Sequence, residues 1–149
     1  MKDYIITDKT LAILPFGIHN SLVYEHNNVI IVNKKPNNII KRNCMYHGSS
    51  FDGRIKGTEQ LTGYTYKAPI CIADKENIIF FPTSSPRLKE CSWLSLNNID
   101  NYTFDNSKNI SIIKFINNTS IEIDVSKNIL NNQVLRATRL GSKIVRKYE

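Results

Sequence analysis

The sequence predicts a mainly β fold, a small antiparallel sheet or barrel-like core, with one C-terminal amphipathic helix; α+β is the alternative class. Three observations predict it. The first 125 residues are short apolar or alternating segments broken by turn signals at intervals of about ten residues. Two pairs of these segments flank Asn-rich turns. After Asp124 the apolar period changes from two to the helical one.

Leu11–Phe16 is a short apolar run ending at Gly17. Ser21–Tyr24 and Val29–Val32 flank His26-Asn27-Asn28, a hairpin signal because Asn tolerates the left-handed turn conformation. Tyr64–Ala73 alternates, and Pro69 confines it to an edge or a bend. Asn77–Phe81 is apolar and closed by Pro82, and Cys91–Leu96 alternates again. Ser111–Phe115 and Ser120–Val125 flank Asn117-Asn118-Thr119, the clearest hairpin in the chain. Phe80, Phe81 and Trp93 read as core.

The predicted helix spans about 126–147, capped by Asp124 or Ser126. Leu130, Val134, Ala137, Gly141, Ile144 and Val145 share one of its faces; Arg136, Arg139, Lys143, Arg146 and Lys147 share the opposite one. Residues 1–149 therefore read as one domain, β-rich over 1–125.

The chain has 149 residues with 41% hydrophobic content, too apolar for a disordered chain. No apolar run approaches the roughly 20 residues of a membrane helix. No basic start leads into an apolar stretch with a cleavage site, so no signal peptide is expected. Three cysteines without a CxxC point to a reducing compartment, with neither disulfide nor zinc site. The expectation is a cytoplasmic, nucleoid-associated protein with no membrane contact.

The net charge of +7 is unevenly placed. Residues 34–56 hold Lys34, Lys35, Lys41, Arg42, Arg54 and Lys56 against Asp52, and residues 126–149 hold six cations against Glu149. Each segment is net +5, while 1–33 and 57–125 are slightly acidic. Two concentrated cationic segments suit a polyanion partner; solvated faces kept for solubility are the plainer reading.

Residues 46–58, Tyr46-His47-Gly48-Ser49-Ser50-Phe51-Asp52-Gly53-Arg54-Ile55-Lys56-Gly57-Thr58, read as a Gly/Ser loop whose N–H groups, hydroxyls and cations can cradle phosphate. The order is not that of a nucleotide P-loop. His47, Ser49 or Ser50 and Asp52 lie too close in sequence for a catalytic triad, and no GxSxG is present. Cys44 and His47 have no matching second pair for zinc. No enzyme activity, metal or cofactor is expected.

Several ordered motifs then coincide. Lys35-Pro36, Ile39-Ile40-x-Arg42-x-Cys44 and Gly48-Ser49-Ser50-Phe51-x-Gly53-Arg54-x-x-Gly57-Thr58 closely resemble the core of the ComK family, the competence transcription factors of low-GC Gram-positive bacteria. The resemblance continues through Lys67-Ala68-Pro69-Ile70, Phe81-Pro82-Thr83-Ser84-Ser85, Cys91-x-Trp93-Leu94-Ser95 and Asn132-Gln133-Val134-x-Arg136. It departs at Ala68, often Pro in the family, and at Asn43, where the family has Ser.

The resemblance implies a sequence-specific activator that binds paired A/T-rich boxes in double-stranded DNA as an oligomer, largely through the minor groove, and assists RNA polymerase. Family members continue for several tens of residues in a tail that carries activation and adaptor recognition. This sequence stops at Glu149, so adaptor-controlled proteolysis is not carried over to it.

Narrow A/T minor grooves attract inserted Arg and Lys, and phosphate contacts fix the register. The candidate DNA contacts are Arg42, Ser49, Ser50, Arg54, Lys56, Thr58, Lys67, Arg87, Lys89, Arg136 and Arg139. Arg54 leads for insertion, because Gly53 and Gly57 would let the loop approach closely. Two alternatives stand beside this reading: a non-specific RNA-binding or nucleoid-associated β-barrel, and a small enzyme acting on a phosphorylated substrate through 46–58.

Overall fold

The computed structural model describes residues 3–147; Lys2 and Glu149, counted in the charge partition, lie outside them. β1 (Thr10–Phe16), β2 (Asn20–Glu25) and β3 (Val29–Val32) form an antiparallel meander. Two helices follow, α1 (Pro36–Tyr46) and α2 (Phe51–Thr62). The chain then makes β4 (Ile70–Ala73), β5 (Ile78–Pro82), β6 (Trp93–Ser95), a single 3-10 turn (Leu96–Asn98), β7 (Ile99–Asp105), β8 (Ile110–Phe115), β9 (Ser120–Ile123) and α3 (Lys127–Lys147). The six-stranded sheet has the order β3-β2-β1-β6-β5-β4, and β7-β8-β9 form a second, three-stranded sheet. The mainly β class with a C-terminal helix is observed. Among the described residues no helix is long and apolar enough to cross a membrane.

Alternation divides the large sheet into two apolar faces. Ile13, Val23, Ile70, Ile72, Phe80 and Trp93 point to one side, where Ile39, Ile40 and Cys44 of α1 and Phe51 and Ile55 of α2 cover them. Ala12, Cys71, Ile79, Phe81 and Leu94 point to the other. There they meet Ile113, Phe115, Ile121 and Ile123 of the small sheet and Leu130, Ala137, Leu140 and Ile144 of α3. Phe80, Phe81 and Trp93 are core residues, fully buried.

Both expected hairpins form, β2–β3 and β8–β9, the second with Asn118 at φ +73 in its turn. Of the strand expected over Tyr64–Ala73 only β4 (Ile70–Ala73) forms, at the sheet edge; 64–69 is irregular chain leading out of α2, with Lys67 at φ +49 and Pro69 just before the strand. Ser126 caps α3, its Oγ accepting from the Ile129 N–H at 3.2 Å. Leu140 joins the buried stripe of that helix, whereas Val145, expected in it, is exposed.

The reading of residues 1–125 as strands and turns is corrected by α1 and α2. Pro36 stands in the first turn of α1, where its missing N–H costs nothing, and Pro36, Ile39, Ile40, Asn43 and Cys44 fall on one buried stripe. In α2, Ser50 at φ −142 accepts from the Gly53 N–H at 2.9 Å, Asp52 favours the positive helix end, and Gly63 at φ +83 ends the helix.

Three buried amides tie distant segments together. Asn98 Nδ2 donates to the carbonyls of Asp8 and Thr10 and to Ser95 Oγ, while its Oδ1 pairs with His26 Nε2 at 2.8 Å. Asn43 accepts from the Ile6 N–H and donates to the carbonyls of Tyr4 and Ile39, fastening the N-terminal segment to α1. Gln133 Nε2 donates to the carbonyls of Lys67 and Pro82, docking α3 on the connection before β4 and on the end of β5.

Gly141 is buried in the middle of α3. A Cβ added there would lie 3.6 Å from Asn77 Oδ1 and Ile79 Cγ1, ordinary contact distance. Gly141→Ala is therefore expected to raise the unfolding free energy by roughly 0.5–1 kcal/mol, read as a higher urea midpoint at unchanged m.

Candidate nucleic-acid interface

The expected phosphate-cradling loop is largely helix: only His47–Ser50 connects α1 to α2, and Arg54, Lys56 and Thr58 ride on α2. The cap, the acid in the first turn and the terminating glycine outweigh the poor helix propensity of Gly53 and Gly57. What faces outward at this point is the start of a helix, whose free N–H groups carry partial positive charge.

Two grooves flank that start. The first is lined by Asn37, Lys41 and Met45 of α1, by Ser50–Asp52, and by Pro86 and Arg87. Through Asn37, Lys41, Pro86 and Arg87 it runs into a longer groove that reaches Lys35, Lys89 and the β1–β2 turn at Gly17 and Ile18. On the other flank lie Ser49, Gly53, Arg54 and Gly57 of the α2 side, with Asp74 and Lys147 opposite. The result is a strip with Lys35, Lys41, Arg87 and Lys89 along one arm; Asp52 is the acid in its middle. Lys35 and Lys41 belong to the cationic segment 34–56, but nothing local in the sequence marks them as contacts beside Arg42 and Arg54.

Trp93 positions this strip from beneath. Its Nε1 donates to Asn37 Oδ1 at 2.8 Å, and Asn37 Nδ2 in turn donates to the Pro86 carbonyl. The Phe51 ring meets Trp93 edge-on at 6.1 Å, and Lys41 Nζ lies 5.9 Å above Phe51. One buried indole thus sets the starts of α1 and α2 and the 84–91 connection relative to one another.

The candidate residues separate by environment. Arg87, Lys89, Lys56 and Arg139 are exposed, and Arg42 is exposed with Nε 3.8 Å from Asp3. Ser50 is engaged as the α2 cap, and Ser49 Oγ lies 3.5 Å from the Ser50 carbonyl. Thr58 is buried and donates to the Pro69 carbonyl at 2.7 Å. Lys67 is held at φ +49, its carbonyl bonded to Gln133 and its Nζ 5.7 Å from the Tyr66 ring. Arg136 stacks over Tyr64 at 4.4 Å and donates to Gln133 Oε1.

Arg54 has an internal partner. Its Nη1 donates to Asp74 Oδ1 at 2.5 Å with only 17% of the side chain exposed, and Lys147 Nζ approaches the other carboxylate oxygen at 3.5 Å. The geometry argued for Arg54 as an inserted cation on a glycine loop is therefore not the one observed: the residue is on a helix and spent on an ion pair. Gly57 faces open space, since a Cβ there would meet nothing within 4 Å.

Burial pushes the Asp74 carboxyl up, but Arg54, the Cys71 thiol and Lys147 outweigh it and hold the group below its ordinary value. A carboxyl depressed on folding adds stability at neutral pH that is lost as pH falls through its folded value. Asp74→Asn is expected to cost about 1–3 kcal/mol at neutral pH and to flatten the acid limb of the stability curve below about pH 4. Denaturant titrations across pH read both effects. Burial also raises the thiols, Cys44 to about 11 and Cys71 to about 12, the latter helped by Asp74. All three cysteines are buried and reduced, and no cluster of three or more His, Cys, Asp or Glu able to hold a metal occurs among the described residues.

The fold and this surface define a β-scaffold module with a cationic strip centred on a helix start. The family model described as ComK protein matches residues 1–149. The chain is 32% identical over 149 residues to the competence transcription factor of Bacillus subtilis (strain 168), across 96% of this chain and 76% of that protein. The chain belongs to the ComK family. No solved structure matches it.

Proposed function

We propose that this chain is a DNA-binding transcriptional activator of competence genes that recognises paired A/T-rich boxes largely through the minor groove. The observation that carries the reading is the family match over 1–149, and the cationic strip supplies a surface suited to it. On this reading residues 1–149 act as one DNA-binding domain in the cytoplasm, on the nucleoid, and the protein works as a homo-oligomer beside RNA polymerase. The chemistry is binding, not catalysis.

The division of labour follows from environment. Lys35, Lys41, Arg87 and Lys89 have the exposure to reach phosphates or a narrow A/T groove. Ser49, Ser50 and the first N–H groups of α2 suit a phosphate at the helix start. Arg42, Lys56 and Arg139 add outer charge. Arg54, Thr58, Lys67 and Arg136 act through the structure they hold. A footprint on DNA carrying paired A/T boxes, repeated at two salt concentrations with scrambled DNA and RNA as competitors, tests the reading. Protection confined to the boxes and surviving scrambled competitor is expected; equal competition by scrambled DNA or RNA would replace it with a non-specific module.

A further inference from the structure

The large sheet is not covered evenly. The small sheet and α3 shield one of its faces over β6, β5 and β4, whereas at the β3 end the same face stays open. The strand register aligns Leu14, Leu22 and Ile31 in one row across β1, β2 and β3, and Tyr24 with Val29 in the next. Ile31 is 62% exposed, Val29 54% and Phe16, two residues beyond Leu14, 45%. Val29 and Ile31 of β3 and Phe16 at the end of β1 thus present exposed apolar surface, with Leu22 half-buried between them and Leu14 and Tyr24 half-buried against the core behind, of the kind that marks an interaction site.

Beside it runs an unpaired edge. β3 is the terminal strand and reads Val-Ile-Ile-Val, with no charge, proline or bulge of the sort that protects sheet edges. In a chain with 20 cationic and 13 acidic side chains, only Glu25 falls between Thr10 and Val32, and it is occupied by the Tyr4 hydroxyl at 2.6 Å.

We infer that this face and the β3 edge form the contact between two copies of the chain, with β3 pairing antiparallel to its own counterpart. A polyanion has no cation to hold here. Two chains of net +7 repel each other over their cationic surfaces and meet at least cost where charge is absent. The same strand on both sides gives the self-complementary pairing that a two-fold axis requires. The apolar stripe of α3 does not compete, because Leu130, Ala137, Leu140 and Ile144 are spent in the chain's own core. The inference gives a surface to the homo-oligomer of the proposed function and rests on that reading only for its role on two boxes.

Sedimentation of the 149-residue chain without DNA, over a wide concentration range, tests it. The parent is expected to associate reversibly to a dimer. Ile31→Lys, and independently Val29→Lys, place like charges across the axis and are expected to weaken association by at least about 100-fold, with a melting temperature equal to the parent's when both are measured dilute enough to be monomeric. Ile116→Lys, on an apolar residue 54% exposed beyond β8, is expected to leave it unchanged. A parent that stays monomeric throughout, as it would if another protein covered the face, overturns the inference. So does a dimer indifferent to both β3 substitutions or broken by Ile116→Lys. Because the measurement excludes DNA, a chain that dimerises through β3 but ignores A/T boxes refutes the proposed function alone.

Discussion

Trp93→Ala is expected to lower the unfolding free energy by about 3–5 kcal/mol, a large part of the stability of a chain this size. The indole is fully buried between the large sheet and the α1–α2 layer, and its removal leaves a cavity lined by side chains from several elements. It also leaves Asn37 Oδ1 without the Nε1 donor. Trp93→Phe keeps most of the volume and loses the donor, so a smaller loss of about 1–2 kcal/mol is expected for it. Chemical denaturation separates the two variants. The functional expectation is sharper for Phe: a folded protein whose α1 start and 84–91 connection are no longer pinned should bind DNA more weakly. Unchanged binding by a folded Trp93→Phe protein would show that the Asn37 bridge does not position the strip.

The second large effect concerns charge. Lys41→Ala with Arg87→Ala removes the two cations shared by both stretches of the groove. A loss of roughly 10- to 100-fold in affinity for A/T-box DNA is expected, with the slope of log K against log salt shallower by about two. Neither side chain has a carboxylate partner among the described ion pairs, so stability should change by less than about 0.5 kcal/mol. Titrations at several salt concentrations read the slope. A pair that loses affinity with no change in slope would be reading bases, not phosphates. Unchanged affinity would remove this groove from the interface. Arg54→Ala should behave differently, losing stability through Asp74 before it loses contacts.

The contrast between Arg54 and Lys41 shows what the sequence made readable. Strands were readable because alternation and Asn turns are local signals: both predicted hairpins and the buried Phe80, Phe81 and Trp93 follow from them. The C-terminal helix was readable because its apolar and cationic stripes run for many residues. α2 was not, because Gly53, Gly57 and two serines outweighed Phe51, Ile55, Thr58 and Leu61 at helical spacing; the cap at Ser50 and the stop at Gly63 were the signals to weigh. α1 was obscured by asparagines and β-branched isoleucines, although Pro36 followed by Ile39, Ile40 and Cys44 is a helix start with a buried stripe. The partnership of Arg54 with Asp74 joins residues 20 apart through tertiary packing and has no local signature. The convergence of Lys35 and Lys41 with Arg87 and Lys89 is hidden for the same reason.

The strand order carries a consequence for how the chain acquires its structure. β1 lies beside β6, with Ala12 opposite Leu94 and Ile13 opposite Trp93. Some eighty residues separate these partners, and both α1 and α2 lie between them in sequence. The first three strands can form their meander early, since each pairs with its neighbour through a short turn. Their sheet stays half-built on the ribosome until the segment around Trp93 has emerged. Closing that seam requires the entropy of a long loop to be met by contacts that exist only once it is closed. Closing this one distant junction is the step expected to limit the folding rate.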